Sequence, residues 1–361
     1  MSANEEKTRE ELGGIKQIIN PENLAVTIRN KALELGFDSC GIIKVDAVRD
    51  YADRLEERMK LCPGSRPFYE NLFKYAYPRQ TYDWARSIIV CAFRYGKYRI
   101  PEGVSGLIGK FYLYDYHLQK YSQEFAAAAL FESYLQEAGL KTARNEIAGI
   151  AAARWAAFKA GLGVIRKNNF FYTRHGSWVM FETWLTDQEM ECRETEVLPP
   201  CPDNCTKCID ACPTGALRGP YEMNAVECMT YLTCWVKDSA PEHLRDKMGT
   251  WLYGCDACQD ACPMNQDKWD EEEDYPHLDE LVNYIGIEKM FQMDEETFSK
   301  HIQPKFWYIN QDRVWLWKCN TIRAMANSYE AKYGDYIRQA CQDNNENVRE
   351  MAAWACEKLG L

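Results

Sequence analysis

Two short runs of cysteine in the second half of the chain carry the strongest chemical signal in the sequence. The first run is Cys201-x3-Cys205-x2-Cys208-x3-Cys212-Pro213, and the second, after an isolated Cys228, is Cys255-x2-Cys258-x3-Cys262-Pro263. An x2 spacing lets one loop present two thiolates to neighbouring irons of a cubane cluster. In two-cluster ferredoxins, the cysteine that precedes the proline serves the other cluster. The spacing therefore predicts two 4Fe–4S clusters.

The eight cysteines of this region suffice for two clusters, because each cluster takes four thiolates. We predict that cluster one is held by Cys201, Cys205, Cys208 and Cys262, and cluster two by Cys212, Cys228, Cys255 and Cys258. Structural zinc is the alternative, because all-thiolate zinc sites also use four cysteines with x2 spacing. The twin runs that end in Cys-Pro favour iron. The x3 spacing after Cys201 departs from the usual x2, so Cys201 is the ligand that the pattern supports least.

Eight further cysteines stand outside this ligand pattern, and we expect them to be small buried hydrophobes. They are Cys40, Cys62, Cys91, Cys192, Cys234, Cys319, Cys341 and Cys356. Cys234 follows a predicted ligand by six residues, so a redox-active thiol is the alternative there.

The part of the chain before the cysteines alternates helix and strand patterns, which predicts an α+β fold. Strands are expected at 40–45, 87–95 and 176–186, and helices at 20–35, 117–138 and 150–160, with Asp115 or Tyr116 at the start of the second helix. Short helices are expected over 294–361. The acidic run 270–280 is predicted to be a solvated linker.

Composition excludes several classes of protein. Apolar residues make up 46% of the 361 residues, enough for a core, and no run approaches the 18 apolar residues of a membrane span. The formal charge of −11 argues against a globally basic nucleic-acid binder. The first residues have no secretory pattern, so we expect a cytoplasmic protein, in which many cysteines indicate metal binding more than disulfides.

Six motifs that occur in order identify a family resemblance. They are AGLGVIRKN (160–168), GSW (176–178), CIDACPTGAL (208–217), CMTYLT (228–233), YGCDACQDACP (253–263) and VREMAAWACEKLG (348–360). The chain resembles epoxyqueuosine reductase, the cobalamin- and iron–sulfur-dependent enzyme of tRNA queuosine synthesis, and more distantly the reductive dehalogenases.

The resemblance implies three domains. Residues 1–195 would form a nitroreductase-like α+β domain that binds cobalamin, and residues 196–268 a ferredoxin-like domain with both 4Fe–4S clusters. Residues 269–361 would hold the acidic linker and HEAT-like helices.

In that family a reduced cobalt attacks the substrate, and a carboxylic acid supplies the proton. The clusters then return electrons to the cobalt one at a time. By position, the implied cobalamin-binding residues are Ile108, Phe171, Thr173, Thr230, Cys255 and Asp256. The family's acid is an Asp about a dozen residues before AGLG, a stretch that contains no Asp here. Glu146 is its nearest carboxylate and our candidate for the proton donor, with a solvated residue before the next helix as the alternative.

The substrate and partners are expectations of the same resemblance. Epoxyqueuosine-containing tRNA is the family's substrate, but residues 300–361 hold nine Lys or Arg against seven Asp or Glu, which predicts little electrostatic steering toward tRNA. Together with the missing Asp, this predicts a paralogue with a different substrate and weak or absent turnover of tRNA. Arg166 stands where the family usually has a small residue before Lys-Asn. Its guanidinium would either bind an anion or pair with a surface acid. A reductive dehalogenase-like enzyme acting on a small molecule, or a non-catalytic electron-transfer protein, is the alternative. A ferredoxin or flavodoxin is the expected electron donor.

Anaerobically purified protein should contain about eight iron and eight acid-labile sulfide per chain, which metal analysis can measure. Cys258→Ala should remove cluster two and leave the spectrum of cluster one. Stoichiometric zinc without iron after anaerobic reconstitution would contradict the cluster prediction. Full iron content in Cys201→Ala would show that Cys201 is not a ligand.

Overall fold

The computed structural model describes residues 21–145 and 149–361. In chain order, its α-helices are α1 (Pro21–Glu34), α2 (Tyr51–Leu61), α3 (Arg66–Glu70), α4 (Lys110–Tyr114), α5 (Gln123–Glu137), α6 (Ala153–Lys159), α7 (Lys207–Asp210), α8 (Met229–Cys234), α9 (Glu242–Arg245), α10 (Ala257–Asp260), α11 (Leu278–Val282), α12 (Ile287–Gln292), α13 (Glu295–Thr297), α14 (Val314–Asn327), α15 (Tyr333–Ala340) and α16 (Glu346–Leu359). The strands are β1 (Ser39–Lys44), β2 (Ser87–Arg94), β3 (Thr142–Ala143), β4 (Val164–Ile165), β5 (Phe171–Tyr172), β6 (Val179–Thr186), β7 (Leu217–Gly219) and β8 (Glu222–Met223). Among these residues, no helix has the length and apolar character needed to cross a membrane.

The chain divides into two compact units. The first comprises Met1–Tyr95, Tyr116–Arg166 and Phe170–Pro200, as far as these residues are described. The second comprises Gly96–Asp115, Lys167–Asn169 and Cys201–Leu361. Two short segments from the first half of the sequence thus belong to the unit that carries the clustered cysteines. The three-domain division implied by the resemblance stays a prediction.

The first unit contains an antiparallel sheet with the strand order β1-β2-β6-β3. The three long strands fall within one to three residues of the predicted bounds, because their β-branched and aromatic residues suit a buried pleated surface. Side chains at successive positions point to opposite faces. Ile88 and Val90 pack with α6, whereas Trp184, on the other face, contacts Phe131 of α5 at 4.9 Å between ring centroids. The sheet is therefore covered on both faces, and the mixed helix and sheet fold is confirmed.

The long helix α5 begins later than the sequence predicts. Ser122 is its N-cap, and the Ser122 hydroxyl accepts the N–H of Phe125 at 3.1 Å. Asp115 instead ends the short helix α4. The prediction that Asp115 or Tyr116 starts this helix is therefore wrong, because the serine cap satisfies the first free N–H groups six residues further on. Residue 20, the first of the helix predicted over 20–35, lies outside the described residues.

In the second unit, the acidic run is not simply a solvated linker. The N–H of Asp270 donates to Gly96 O at 2.8 Å, and the N–H groups of Glu272 and Glu273 donate to Lys97 O at 3.0 Å. Tyr275, at the end of this stretch, is buried. The acidic side chains remain exposed while the main chain pairs with residues 96–99. The charge of the run predicted that its acidic side chains are exposed. It could not predict that the main chain of the run pairs with residues 96–99.

The C-terminal helices pack into one apolar cluster. Its buried residues come from α14, α15 and α16, and Ile287 and Phe291 of α12 pack against them. The expectation of short helices after residue 294 is thus confirmed. Outside the ligand pattern, Cys40, Cys62, Cys91, Cys234 and Cys319 are buried, whereas Cys192, Cys341 and Cys356 are only partly buried, contrary to expectation.

Gly161 provides a test of the close packing behind the sheet. Its φ is +76°, and a Cβ at this position would lie 1.9 Å from Glu194 O. Gly161→Ala should therefore cost about 3 kcal/mol or more of unfolding free energy, from the left-handed backbone and the clash together. Gly139 is the matched control, since its φ is +83° with nothing within 4 Å of the added atom.

Gly139→Ala should lower the free energy of unfolding by only about 1–2 kcal/mol, because only the cost of the left-handed backbone applies there. Thermal unfolding of both variants measures the difference. Equal midpoints for the two variants would contradict the close approach of residues 161 and 194.

Candidate metal centre

The first set of cysteines surrounds the short helix α7. Burial raises the pKa of Cys208, and so do the neighbouring thiols of Cys262, Cys201 and Cys205. None of these residues forms a disulfide. The four predicted ligands of cluster one therefore lie together, although Cys262 comes from a turn far along the chain.

The second set is more deeply enclosed. Burial raises the pKa of Cys258 well above its ordinary value, and the thiols of Cys228, Cys255 and Cys212 raise it further. Burial also raises the pKa of Cys255. Four thiolates so close together repel one another, and bound iron would supply the positive charge that offsets this repulsion. Both sets thus fit clusters, and ligation by each cysteine stays a prediction.

Main-chain N–H groups also point at the sulfur atoms. The Ala257 N–H donates to Cys255 Sγ at 3.4 Å, and the N–H groups of Thr230 and Tyr231 donate to Cys228 Sγ. Such hydrogen bonds stabilise a thiolate and tune the reduction potential of an iron–sulfur cluster.

The loop of residues 201–208, which we call the cluster-one loop, is held by Lys167. The Lys167 ammonium donates to the carbonyls of Pro202, Asp203 and Cys205 at 2.7, 2.8 and 3.2 Å. Asn168, the next residue, donates to Cys258 O at 3.2 Å. Two adjacent residues of one short segment therefore contact loops of both cysteine sets.

The loop of residues 248–258, which we call the cluster-two loop, is held by α14. Asn320 Nδ2 donates to Thr233 O and to Leu252 O, each at 3.0 Å. The Arg323 guanidinium donates to the carbonyls of Met248, Gly249 and Trp251. Both side chains are at most 2% exposed. Their spacing of three residues puts them on one face of the helix, toward the loop.

Four of the six predicted cobalamin-binding residues lie together in the second unit. Ile108 bridges to Tyr253, and Asp256 accepts the N–H of Lys110 at 2.7 Å. Burial raises the pKa of Asp256 to about 7. Cys255 precedes Asp256, and Thr230 lies near the hydroxyl of the buried Tyr112, which follows shortly after Ile108. A single packed region of this unit therefore contains Ile108, Thr230, Cys255 and Asp256.

Phe171 and Thr173, the other two predicted residues, belong to the first unit. Phe171 pairs with Ile165 in the hairpin of β4 and β5, and its ring contacts Phe181 at 5.1 Å. Thr173 pairs with Gly176 in the following turn. Both residues are buried.

The predicted proton donor, Glu146, lies outside the described residues. Just before it, Arg144 Nε lies 2.9 Å from Glu182 Oε2, and the two side chains are each 3% exposed. Glu182 also accepts the hydroxyl of Tyr116 at 2.8 Å, and His117 Nε2 lies 3.2 Å away. His117 therefore contacts a buried carboxylate. The sequence analysis did not identify Glu182. The feature that could have indicated it is a single acidic residue within an otherwise largely apolar strand.

Arg166 contacts a main-chain carbonyl and an aromatic ring. It is 4% exposed and donates to Pro199 O at 2.9 Å. Its guanidinium lies 5.0 Å from the centre of the Tyr172 ring. A role for Arg166 toward an anion or an acid stays a prediction. The contact with Pro199 O anchors the segment that leads to the cluster-one loop.

The support that α14 gives to the cluster-two loop can be tested with Asn320→Leu. This change leaves two buried carbonyls without donors, at a cost of about 1–3 kcal/mol each. We expect a lower thermal unfolding midpoint and faster release of cluster-two iron to a chelator. Lys318→Met is the control on the same helix, since it removes only the partly exposed ion pair with Asp343, worth about 1 kcal/mol or less. Iron release at the wild-type rate from Asn320→Leu would contradict this role.

Comparisons with known proteins agree with this geometry. A family model for a 4Fe-4S double cluster binding domain matches residues 201–265, which favours iron over zinc and places two 4Fe–4S clusters in this region. Epoxyqueuosine reductase of Staphylococcus aureus is 31% identical over 96% of this chain and 91% of its own length. The enzyme of Leadbetterella byssophila is 35% identical over 66% of this chain and 78% of its own length.

Solved structures give the same result. The crystal structure of an epoxyqueuosine reductase with a tRNA-Tyr epoxyqueuosine-modified stem loop matches with a TM-score of 0.78 and 26% identity. The match covers 95% of this chain and 92% of that one. With its two sets of four cysteines and its mixed helix and sheet fold, this chain is an iron–sulfur oxidoreductase that belongs to the epoxyqueuosine reductase family.

Proposed function

We propose that this protein reduces epoxyqueuosine in tRNA to queuosine. The observation that carries the proposal is the match over nearly the whole chain to an epoxyqueuosine reductase solved with a modified tRNA stem loop. Removal of the epoxide oxygen consumes two electrons and two protons, forms a carbon–carbon double bond and releases water. Two one-electron clusters suit a reaction that requires electrons one at a time.

We further propose that cobalamin is bound by the residues that the resemblance implies. When bound, it would supply a strongly reducing cobalt nucleophile. Ile108 and Phe171 offer buried apolar contacts, and Thr173 and Thr230 offer hydroxyl groups. None of these residues is a histidine. They fit a cofactor that is held by packing and hydrogen bonds, without a protein ligand to cobalt.

Glu146 is our proposed proton donor. Its support is its place two residues after Arg144, whose guanidinium is fixed by the buried Glu182. Glu146 is also the carboxylate nearest in the sequence to the position of the family's acid. A carboxyl that is buried beside a cofactor holds its proton closer to neutral pH than an exposed one does.

The alternative substrates receive less support. Reductive removal of a halide was attractive because Arg166 could clamp an anion, yet its guanidinium donates to Pro199 O and lies over the Tyr172 ring. We therefore retain epoxyqueuosine in tRNA as the single proposed substrate. A ferredoxin or flavodoxin donor and a cytoplasmic location stay predictions.

An anaerobic assay tests this function directly. Protein with both clusters, supplied with cob(II)alamin and a chemical reductant, should convert epoxyqueuosine in a tRNA stem loop to queuosine, as nucleoside mass spectrometry would show. Without cobalamin, turnover should be absent. EPR of bound cob(II)alamin should lack the nitrogen splitting that a histidine or the cofactor's own base would cause. Turnover of halogenated aromatics but not of tRNA would instead support the dehalogenase alternative, and binding without any turnover would support electron transfer.

Glu146→Gln tests the proton donor. We expect a loss of turnover of about 100-fold or more, the usual size of a general-acid contribution, with iron content and cobalamin binding unchanged. Glu189→Gln is the matched control, because Glu189 is an exposed carboxylate paired with Lys44. If the two variants behave alike, Glu146 is a solvated residue and the donor lies elsewhere.

A further inference from the structure

Lys167 is a buried cation whose ammonium hydrogen-bonds three carbonyls within residues 202–205. The residue is 9% exposed, and its ammonium donates to Pro202 O, Asp203 O and Cys205 O. An ammonium has three N–H donors, so these three carbonyls use all of them. Among the described contacts of Lys167 there is no ion pair with a carboxylate.

These carbonyls lie at the unusual spacing of the first cysteine run. Cys201 and Cys205 are separated by three residues where such runs usually have two, and the three carbonyls belong to residues 202, 203 and 205. A buried ammonium requires polar partners, and the carbonyls of Pro202, Asp203 and Cys205 supply them.

The charge of Lys167 has an electrostatic consequence for cluster one. A reduced cluster carries one more negative charge than an oxidised cluster. A buried positive charge beside the ligand loop stabilises the reduced form more than the oxidised form, and this raises the reduction potential. Screening by salt is weak for buried charges.

We propose that Lys167 is a positioning residue for cluster one, which orders the x3 spacer between Cys201 and Cys205 and raises the reduction potential of this cluster relative to cluster two. The proposal rests on the cysteine assignment and not on the substrate. Its test therefore measures iron and potential without turnover, and a failure here is distinct from a failure of the proposed reaction.

The experiment is an anaerobic redox titration of the intact protein, followed by EPR of the reduced clusters, with Cys258→Ala used to assign the signal of cluster one. In Lys167→Met, the ratio of reduced to oxidised cluster one at a fixed potential should fall about tenfold, which corresponds to about 59 mV. The potential of cluster two should not change. Lys167→Arg, which keeps the charge and the donors, should restore the potential of cluster one.

Lys305→Met is the matched control. Lys305 is also a buried lysine, 5% exposed, but its ammonium donates to Asp115 O. This variant should leave the potential of cluster one unchanged. Loss of four irons from Lys167→Met, with eight retained in Lys167→Arg and Lys305→Met, would also support the positioning role. Full iron content with unchanged potentials in Lys167→Met would overturn the proposal, and so would equal effects of Lys167→Met and Lys305→Met.

Discussion

Repulsion among thiolates is the constraint on which the second unit depends. Two sets of four cysteines are gathered in partly or fully buried positions, and each set accumulates negative charge as its thiols ionise. Iron offsets this charge, but the loops must first hold the sulfur atoms in place. These loops are short and irregular, so their carbonyls have few partners in helices or strands. Buried donors from remote segments supply the partners instead: Lys167 for the cluster-one loop, and Asn320 and Arg323 for the cluster-two loop.

This arrangement explains why the second unit collects segments from distant parts of the sequence. Residues 167–169 belong to it although their neighbours on both sides belong to the first unit. The C-terminal helix α14 likewise uses one polar face to hold the cluster-two loop, while its apolar residues pack with α15 and α16. The C-terminal helices are therefore part of the structural support of a metal centre, beyond any role they have in binding a substrate.

The first unit meets a different constraint, because its sheet is buried on both faces yet contains a carboxylate. Glu182 lies within β6 and is satisfied by Arg144, Tyr116 and His117. A buried carboxylate is stable only when it is paired and hydrogen-bonded. In the sequence, the proposed acid Glu146 follows Arg144 by two residues.

Much of this protein was evident from local sequence pattern. Cysteine spacing reflects how a single turn presents sulfur atoms. The runs of β-branched and aromatic residues at 40–45 and 87–95 predict buried strands, whichever elements they pack against. Tertiary structure alone decided which groups meet across long separations. Lys167 meets carbonyls about 35 residues away. Arg166 meets Pro199 O, and the acidic run pairs its main chain with residues 96–99. No local pattern encodes these contacts, because a main-chain carbonyl is the same in every residue and only the folded chain determines which donor reaches it.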